Sequence, residues 1–483
     1  ERLLSGFRWI LVDEYQDIGP EQYDLLSALA GRTLQEEASK LTMFAVGDDD
    51  QNIYAFDGAS VEFIRRFEAD YAAKPSFLLE NFRSSQNIIT TANLMIAAAR
   101  HRMKLDHPIT IDRARKGEKS GGQWQTIDPV GKGKVQLLNV KGSPADQAVA
   151  VMTEFNRLAE LAPVWDWNTC AIIAREWKFL EPVRAWCELQ KIPVQMADED
   201  TIQFWRLRET QALVSWVRAR ESKLVSTDII YAWLETQPSG QWWWLLKDAI
   251  DAYVLEASGE ELPSANFVEW LAEWGRDLRR KQSGLLLLTA HRAKGLEFDH
   301  VAVLDGAWEK KSSNEDKDAA RRLYYVAMTR AKQTLLLAQQ RQVNPLLNTL
   351  PESPAILIRP PMDLPTAPNE MHRRYMRLSM KDIDISFAGR YSDTHPVHRA
   401  IAGLETDDSL LLKKAENKWV LKSREGTVVC RLAKAFTPPS GKQFVSAKVL
   451  AVIVRQREDS EPEYQDTLQC NRWEVVIPEL IFE

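Results

Sequence analysis

The stretch Trp9-Ile10-Leu11-Val12-Asp13-Glu14-Tyr15-Gln16-Asp17 runs four apolar residues straight into a cluster of acids. An unbroken apolar run without alternation is the pattern of a strand buried on both faces of a parallel sheet. In open α/β sheets ligands bind beyond the carboxyl ends of the strands, so these acids stand where a metal ion and a reacting phosphate are expected. Asp13 is the expected Mg²⁺ ligand, directly or through water, and Glu14 the group expected to orient and deprotonate an attacking water. Many apolar strands end in acids. The stretch therefore points to a fold before it points to a chemistry.

On either side the rhythm continues. Trp9–Val12, Glu21–Ala30, Met43–Val46 and Ser60–Phe67 alternate strand-like and helix-like periods, which predicts a parallel α/β sheet from Phe7 to about Ala98. A glycine- and lysine-rich stretch from Arg113 to Lys134 reads as a mobile loop. Strand-like Val135–Val140 and Cys170–Ala174, each followed by a helical pattern (Asp146–Ala159 and Glu176–Gln190), open a second α/β unit. Between Ala197 and Lys281 the chain is tryptophan-rich and helical in period, which predicts an all-helical insertion. Its Trp242-Trp243-Trp244 run reads as packed core rather than as a binding platform. The α/β pattern returns at Leu285–Leu288 and Val301–Leu304 and closes with a helix over Ala319–Met328 and a strand at Thr334–Ala338. Prolines from Pro345 to Pro368 predict an extended linker. Beyond it Ile383–Phe387, Ser409–Leu412, Trp419–Lys422, Thr427–Leu432, Lys448–Val454 and Trp473–Ile477 are short, β-branched runs that predict a small β domain.

Composition narrows the partners. At 483 residues, 45% of them hydrophobic, the chain is long enough for about three cores. Its formal charge of −6 does not by itself suggest nucleic acid, so any DNA contact must use local patches. Cys170, Cys187, Cys430 and Cys470 are scattered singly, without the short spacing of a zinc or redox site, and a reducing, cytoplasmic setting is expected. No apolar run approaches the roughly 20 residues of a membrane span, and no leader pattern precedes the first strand.

A second strand, Met43–Val46, ends in Gly47-Asp48-Asp49-Asp50-Gln51-Asn52-Ile53-Tyr54-Ala55-Phe56-Asp57-Gly58-Ala59. Gln51 can hydrogen-bond a terminal phosphate without adding charge, and Tyr54 and Phe56 can stack on bases. By composition alone, core packing is the favoured reading of both aromatics. Taken together, however, these two stretches resemble motifs II and III of the UvrD/Rep/PcrA helicases of superfamily 1. Three more follow in the family's order: Leu79-Glu80-Asn81-Phe82-Arg83-Ser84 resembles motif IV, Thr289-Ala290-His291-Arg292-Ala293-Lys294-Gly295-Leu296-Glu297-Phe298 motif V, and Arg321-Arg322-Leu323-Tyr324-Tyr325-Val326-Ala327-Met328-Thr329-Arg330-Ala331-Lys332 motif VI.

The resemblance covers residues 7 to 340 and implies roles. Arg83 and Arg330 would be arginine fingers acting with Asp13, Glu14 and Gln51; Phe82 stands where the family usually has a tyrosine stacked on adenine; Glu297 would accept from the ribose. Tyr54, Phe56, His291 and Lys294 would meet the DNA strand, Lys294 as a phosphate contact. It also implies RecA-like parallel-sheet motor domains of the P-loop NTPase type, with ATP and Mg²⁺ as cofactors. The expected division is 1–80 as the remainder of a first motor domain, 81–196 with 282–341 as the second, 197–281 as a reduced 2B-like insertion, 342–370 as linker, and 371–483 as a small β-barrel-like domain. That last part is faintly similar to HIRAN-type barrels, and a protein partner is an equal expectation for it.

Two departures bear on function. The family commonly has arginine where this chain has Asp57, which removes the usual cationic link between DNA and nucleotide sites. Nothing in the 483 residues matches Gly-x-x-x-x-Gly-Lys-[Ser/Thr], the loop that cradles phosphates. The expectation is therefore a piece of a 3′-to-5′ DNA helicase or translocase, acting on single-stranded DNA and single/double-strand junctions, that is inactive in ATP hydrolysis by itself. The alternative is a P-loop-less module that binds DNA or protein. A helicase-nuclease is disfavoured because the tail has no Asp…Asp-x-Lys cluster.

Overall fold

The computed structural model describes residues 7–35, 40–100, 102–197, 202–220, 224–257, 262–276, 281–310, 317–340, 344–361, 363–415 and 418–483. The chain forms two units, Glu1–Ala197 with Gln282–His372, and Asp198–Lys281 with Arg373–Glu483. The expected limits of the helical insertion fall against residues 198–201 and 277–280, which lie outside the described residues.

In the first unit, β1 (Trp9–Val12) and β2 (Thr42–Ala45) pair in parallel, in the register Trp9 with Thr42 through Val12 with Ala45. One face packs Val12, Met43 and Ala45 onto Tyr15, Tyr23 and Phe63. The other is open: Trp9 is 62% and Leu11 74% exposed. The expectation of a strand buried on both faces is thus met on one face only, because among the described residues these two strands have no further neighbour.

The main sheet is seven-stranded and parallel throughout. Its strands are β3 (Val135–Val140), β4 (Cys170–Ala174), β5 (Val194–Met196), β6 (Leu285–Thr289), β7 (Phe298–Val303), β8 (Ala331–Gln340) and β9 (Ile356–Arg359), in the spatial order β9-β3-β8-β7-β4-β6-β5. Every residue of β4 is buried, as are Leu285–Leu288 of β6, which is what the uninterrupted apolar runs require. The helix that follows β3 is Pro144–Leu161, beginning two residues before the expected Asp146. Ser143 and Asp146 form a capping box and Pro144 sits in the first turn.

Two expectations fail in this unit. The proline-rich stretch is no plain linker: Ile356–Arg359 adds an edge strand beside β3, where prolines are excluded only from the paired positions themselves. The segment 113–134 is folded down, not loose. Trp124 in it is 2% exposed and donates its indole N–H to Gln333 at 2.9 Å. Gly133, at φ +64, lies so close to Gly121 that a Cβ there would stand 2.2 Å from the Gly121 carbonyl oxygen. Only glycine fits that crossing.

The second unit contains a six-stranded sheet of antiparallel pairs with the order β10-β15-β14-β11-β12-β13. The strands are β10 (Arg374–Arg377), β11 (Ser409–Ala415), β12 (Lys418–Lys422), β13 (Val428–Arg431), β14 (Phe444–Gln456) and β15 (Arg472–Phe482). The terminal strands β10 and β13 do not pair with each other, so the expected barrel is instead an open sheet. Closure is unnecessary because helices cover a face. Helices Arg208–Ala219, Thr227–Leu234, Gln241–Ala257 and Ser264–Trp274 send Leu213, Ile230, Leu246, Ile250, Phe267 and Leu271 into the same core as Val449, Ala451 and Ile477 of the sheet. Trp242 is 6% exposed and donates to the Leu450 carbonyl at 3.0 Å, so it is core as expected, whereas Trp244 of the same run is 63% exposed and is not. The helical segment and the β segment therefore share one core. Ile383–Phe387, expected as a strand, makes only a bridge between Ile383 and Leu432 and then turns into a short 3-10 helix. No helix among the described residues is long and apolar enough to cross a membrane.

Candidate functional site

The acids beyond β1 are held by a network that begins in the backbone. Glu14 adopts a left-handed conformation (φ 52, ψ 37), unusual for a residue with a Cβ, and its amide is bonded to Asp13 Oδ1 at 2.8 Å. Asp13 and Glu14 themselves are exposed. Gln16 is fully buried beneath them: its amide nitrogen donates to Glu14 Oε2, and its amide oxygen accepts from the Asp48 backbone at 2.9 Å. Gln16 thereby ties the end of β1 to the end of β2. Gln51 stands at the same place, donating to Asp48 Oδ2 at 2.9 Å.

Asp48, Asp49 and Asp50 bring their carboxylates within 4.8 Å of one another. They are answered by cations. Arg102 makes a two-pronged pair with Asp50 (2.8 and 2.7 Å), Lys104 reaches Asp48 at 2.6 Å, and the Met103 amide donates to Asp49 at 3.0 Å. Burial raises the Asp49 pKa, and the Met103 amide only partly offsets it.

Lys294, expected on a DNA phosphate, is instead turned onto the acids. Its side chain is 7% exposed, hydrogen-bonded to Asp17 Oδ2 and 3.3 Å from Glu14 Oε2. Burial raises the Asp17 pKa against the pull of Lys294, and Asp17 Oδ1 is buried with no partner among the described residues. The lysine also lies over the Tyr54 ring, 5.3 Å from its centroid. Tyr54 in turn donates to the His291 carbonyl at 3.3 Å, and the His291 ring meets Phe56 edge-on at 5.3 Å. Burial first, then Arg175, lowers the His291 pKa to about 4. The four expected DNA residues are thus one cluster, and Lys294 joins it to the acids. Asp57 is exposed and makes no ion pair among the described residues.

The two arginines lie near enough that Arg83 is the second cause, after burial, lowering the Arg330 pKa to about 10. Arg330 is 3% exposed and tucked onto the carbonyls of Val326 (2.9 Å) and Leu296 (3.2 Å). Arg83 pairs with Glu297 at 2.6 Å. Glu297, expected at a ribose, is also paired with Lys332 at 2.8 Å; that lysine, opposed by burial and aided by Arg83, holds it below the usual carboxylate range. Phe82, 74% exposed, presents a free aromatic face. A separate cavity of about 510 Å³ at the carboxyl ends of β3, β7 and β8 is lined by Ser143, Asp305, Trp308 and Asn344 and contains none of these residues.

Five separated sequence stretches therefore converge in one unit. Residues 1–72 match the model of the UvrD/REP helicase N-terminal domain, and residues 264–342 that of the UvrD-like helicase C-terminal domain. In these two segments the chain is similar to UvrD/Rep/PcrA-type helicases. Among its relatives, the putative ATP-dependent DNA helicase YjcD of Bacillus subtilis (strain 168) is 26% identical over 407 residues, 70% of this chain and 52% of that protein. The ATP-dependent DNA helicase UvrD1 of Mycobacterium tuberculosis (strain ATCC 25618 / H37Rv) is 30% identical over 217 residues, 45% of this chain and 25% of that protein. DNA helicase II of Haemophilus influenzae is 42% identical over 97 residues, 20% of this chain and 12% of that protein. The chain thus spans about half or less of the length of these UvrD-like proteins.

Sequence reasoning missed several members of the site. Arg102 and Lys104 sit in no motif quoted above, and their carboxylate partners are more than 50 residues away. Arg322, inside motif VI, donates to the Asn52 carbonyl at 2.9 Å and so links motif III to motif VI. Gln16 and Asp17 were visible in the first stretch, but nothing local marks one as a buried strut and the other as the lysine's partner.

Proposed function

We propose that the chain is the part of an ATP-driven DNA helicase or translocase that carries the acids, the arginine pair and the DNA-gripping cluster of a RecA-like motor. The observation that supports this reading best is the convergence of Asp13, Glu14 and Asp17 from one stretch with Lys294, Arg83 and Arg330 from others. Complementary charges from separate stretches are what a phosphoryl-transfer cleft needs. The donor set around Asp13, Glu14 and Asp17 is all oxygen, with an unpartnered buried Asp17 oxygen, which suits a hard cation such as Mg²⁺. Lys294 already places one positive charge there.

In this reading ATP with Mg²⁺ supplies the phosphoryl group whose transfer drives the motor. Glu14 Oε accepts the proton of the attacking water, held in place by Gln16. Asp13 would hold the metal ion, and Gln51 would orient a phosphate oxygen. Arg83 and Arg330 stabilise developing negative charge, which requires each to leave its present partners, Glu297 for Arg83 and backbone carbonyls for Arg330. Phe82 offers its exposed ring to the adenine and Glu297 a carboxylate to the ribose. Tyr54, Phe56 and the uncharged His291 ring grip bases by stacking, worth about 1–3 kcal/mol per base. Lys294 exchanges the acids for a DNA phosphate. Movement 3′ to 5′ on single strands and at junctions, in repair, replication or recombination, follows from the family likeness.

The test uses this chain and a version extended to include a Gly-x-x-x-x-Gly-Lys-[Ser/Thr] loop. The chain alone is expected to bind single-stranded DNA and hydrolyse negligible ATP. The extended version is expected to hydrolyse ATP in response to DNA and to lose on the order of 10²–10⁴ of that rate with Glu14→Gln. An active extended protein indifferent to Glu14→Gln overturns the role of Glu14. DNA binding without hydrolysis in both points to a non-hydrolysing DNA module, a reading favoured by the lysine that fills the acid site.

A further inference from the structure

We propose that the strand ribbon β11-β12-β13 of the second unit is a second, sequence-independent binding surface for the DNA backbone, separate from the motor cluster. The first observation is charge. Residues 409–448 contain nine Lys and Arg and two Glu, a net of +7, in a chain whose formal net charge is −6. At the overall proportion of 68 acids in 483 residues, about five or six would stand in that length. The acids have been left out of one place.

The second observation is register. β11 and β12 pair Leu411 with Lys422, Lys413 with Val420 and Ala415 with Lys418, and β12 pairs Val420 with Arg431 of β13. Residues directly opposite in an antiparallel pair project to the same face, and alternate residues along a strand to the same side. Lys413, Lys418, Lys422 and Arg431 therefore share one face, while Leu410, Leu412, Leu421 and Cys430 of the other are buried in the core. Lys413 and Lys418 are exposed, Lys422 half-buried, and none of the three makes an ion pair among the described residues. Arg431 borders the face beside Asp384, at 3.9 Å. Spaced by roughly 4.8 Å between strands and 6.7 Å between alternate residues, these cations fall within the reach of two to four successive phosphates.

A bland explanation for strand lysines is that they guard a sheet edge against aggregation. It does not fit here. β11 and β12 are interior strands, whereas the edges are β10 and β13. An ordinary solvated face would mix both signs. A face on which Lys413, Lys418 and Lys422 stand around Leu411 and Val420, with no ion pair among the described residues, is instead suited to a polyanion, and the polyanion is DNA if the reading of the first unit is right, which this proposal rests on.

The experiment measures binding of a fluorescent dT oligonucleotide and a short duplex by the full chain across a salt series, for the parent and for Lys413→Gln/Lys418→Gln/Lys422→Gln. Each phosphate contact contributes about 0.7–0.9 to the slope of log affinity against log salt. The triple variant is expected to lose about two to three units of slope and on the order of 100-fold in affinity at 0.1 M salt, with an unchanged circular dichroism spectrum. Parent-like affinity and slope in the triple variant overturn the surface. Poly-glutamate competing as well as unlabelled DNA also overturns it, in favour of an acidic protein partner. Phe56→Ala is measured in parallel. If it weakens binding while the triple variant does not, the surface fails and the motor reading stands; the opposite pattern sinks the motor reading and keeps the surface. No binding by the parent sinks both.

Discussion

Asp17→Asn should make the protein bind single-stranded DNA more tightly, although Asp17 is half-buried and is not expected to touch DNA. The reason is that Lys294 has two suitors. In the structure its ammonium is hydrogen-bonded to Asp17, 3.3 Å from Glu14, and 5.3 Å from the centroid of the Tyr54 ring, one of the expected DNA contacts. Any phosphate that takes Lys294 must first outbid those carboxylates. A hydrogen bond between charged groups is worth about 1.5–3 kcal/mol, and Asp17, with 18% of its side chain exposed, is screened only slightly. Glu14 is 58% exposed and holds the lysine weakly, so it contributes little to the competition. Releasing the Asp17 contact should therefore return about 1–2 kcal/mol to DNA binding, about a five- to thirty-fold lower Kd. The assay is fluorescence anisotropy with a labelled dT oligonucleotide at fixed salt. Lowering negative charge anywhere near DNA helps binding, so two controls carry the inference. Asp57→Asn, an exposed acid in the same region, should give a smaller gain. In a Lys294→Met background the Asp17→Asn gain should vanish. A gain that persists without the lysine refutes the competition, and so does the absence of any gain in the parent.

The same pair makes a pH prediction. Burial raises the Asp17 pKa in the folded state, so that state binds the proton more strongly than the unfolded chain, and stability falls as pH rises from the unfolded value through the folded one. Removing Lys294 should raise that pKa further; Lys294→Met should lower the Tm of the first unit by a few °C at pH 7.5 and by clearly less near pH 4.5, and an equal loss at both refutes it. Arg102→Ala leaves Asp50, 1% exposed, without its two-pronged partner, and should cost about 3 kcal/mol in urea unfolding, with Asp50→Asn recovering part of the loss. Trp124→Ala removes a side chain 2% exposed and its bond to Gln333; a cost of about 3–5 kcal/mol and faster proteolysis between Arg113 and Lys134 are expected, and parent-like resistance would show the segment is not anchored there. Trp242→Ala should speed hydrogen exchange in β14 as well as in helix Gln241–Ala257, since both share one core; an effect confined to the helix argues against a common unit.

What the sequence made legible follows from where the decisive interactions lie along the chain. Val135–Val140, Cys170–Ala174 and Ala319–Met328 were bounded to the residue because each is an element whose burial is written in its own apolar period. Ile356–Arg359 was not, because its strand character comes from pairing with β3, more than 200 residues earlier, while its neighbours in sequence are prolines. The helical insertion was readable as helices but not as half of a shared core, since nothing in Leu246 or Phe267 names the strands they meet. The site divides in the same way. Motifs located Asp13, Glu14, Gln51, Arg83 and Arg330, for a motif is local. The partners of those residues are not: Lys294 and Asp17 are 277 residues apart, Arg83 and Glu297 are 214 apart. Each such pair changes what the residue can do in this conformation, turning an expected phosphate contact into a counter-ion for acids and an expected arginine finger into the partner of Glu297. A cleft whose charges are satisfied by one another has a reason to stay as it is until a stronger partner arrives. Under the proposed function, the order in which ligands would displace these internal pairs is set by the fold and carried by no motif.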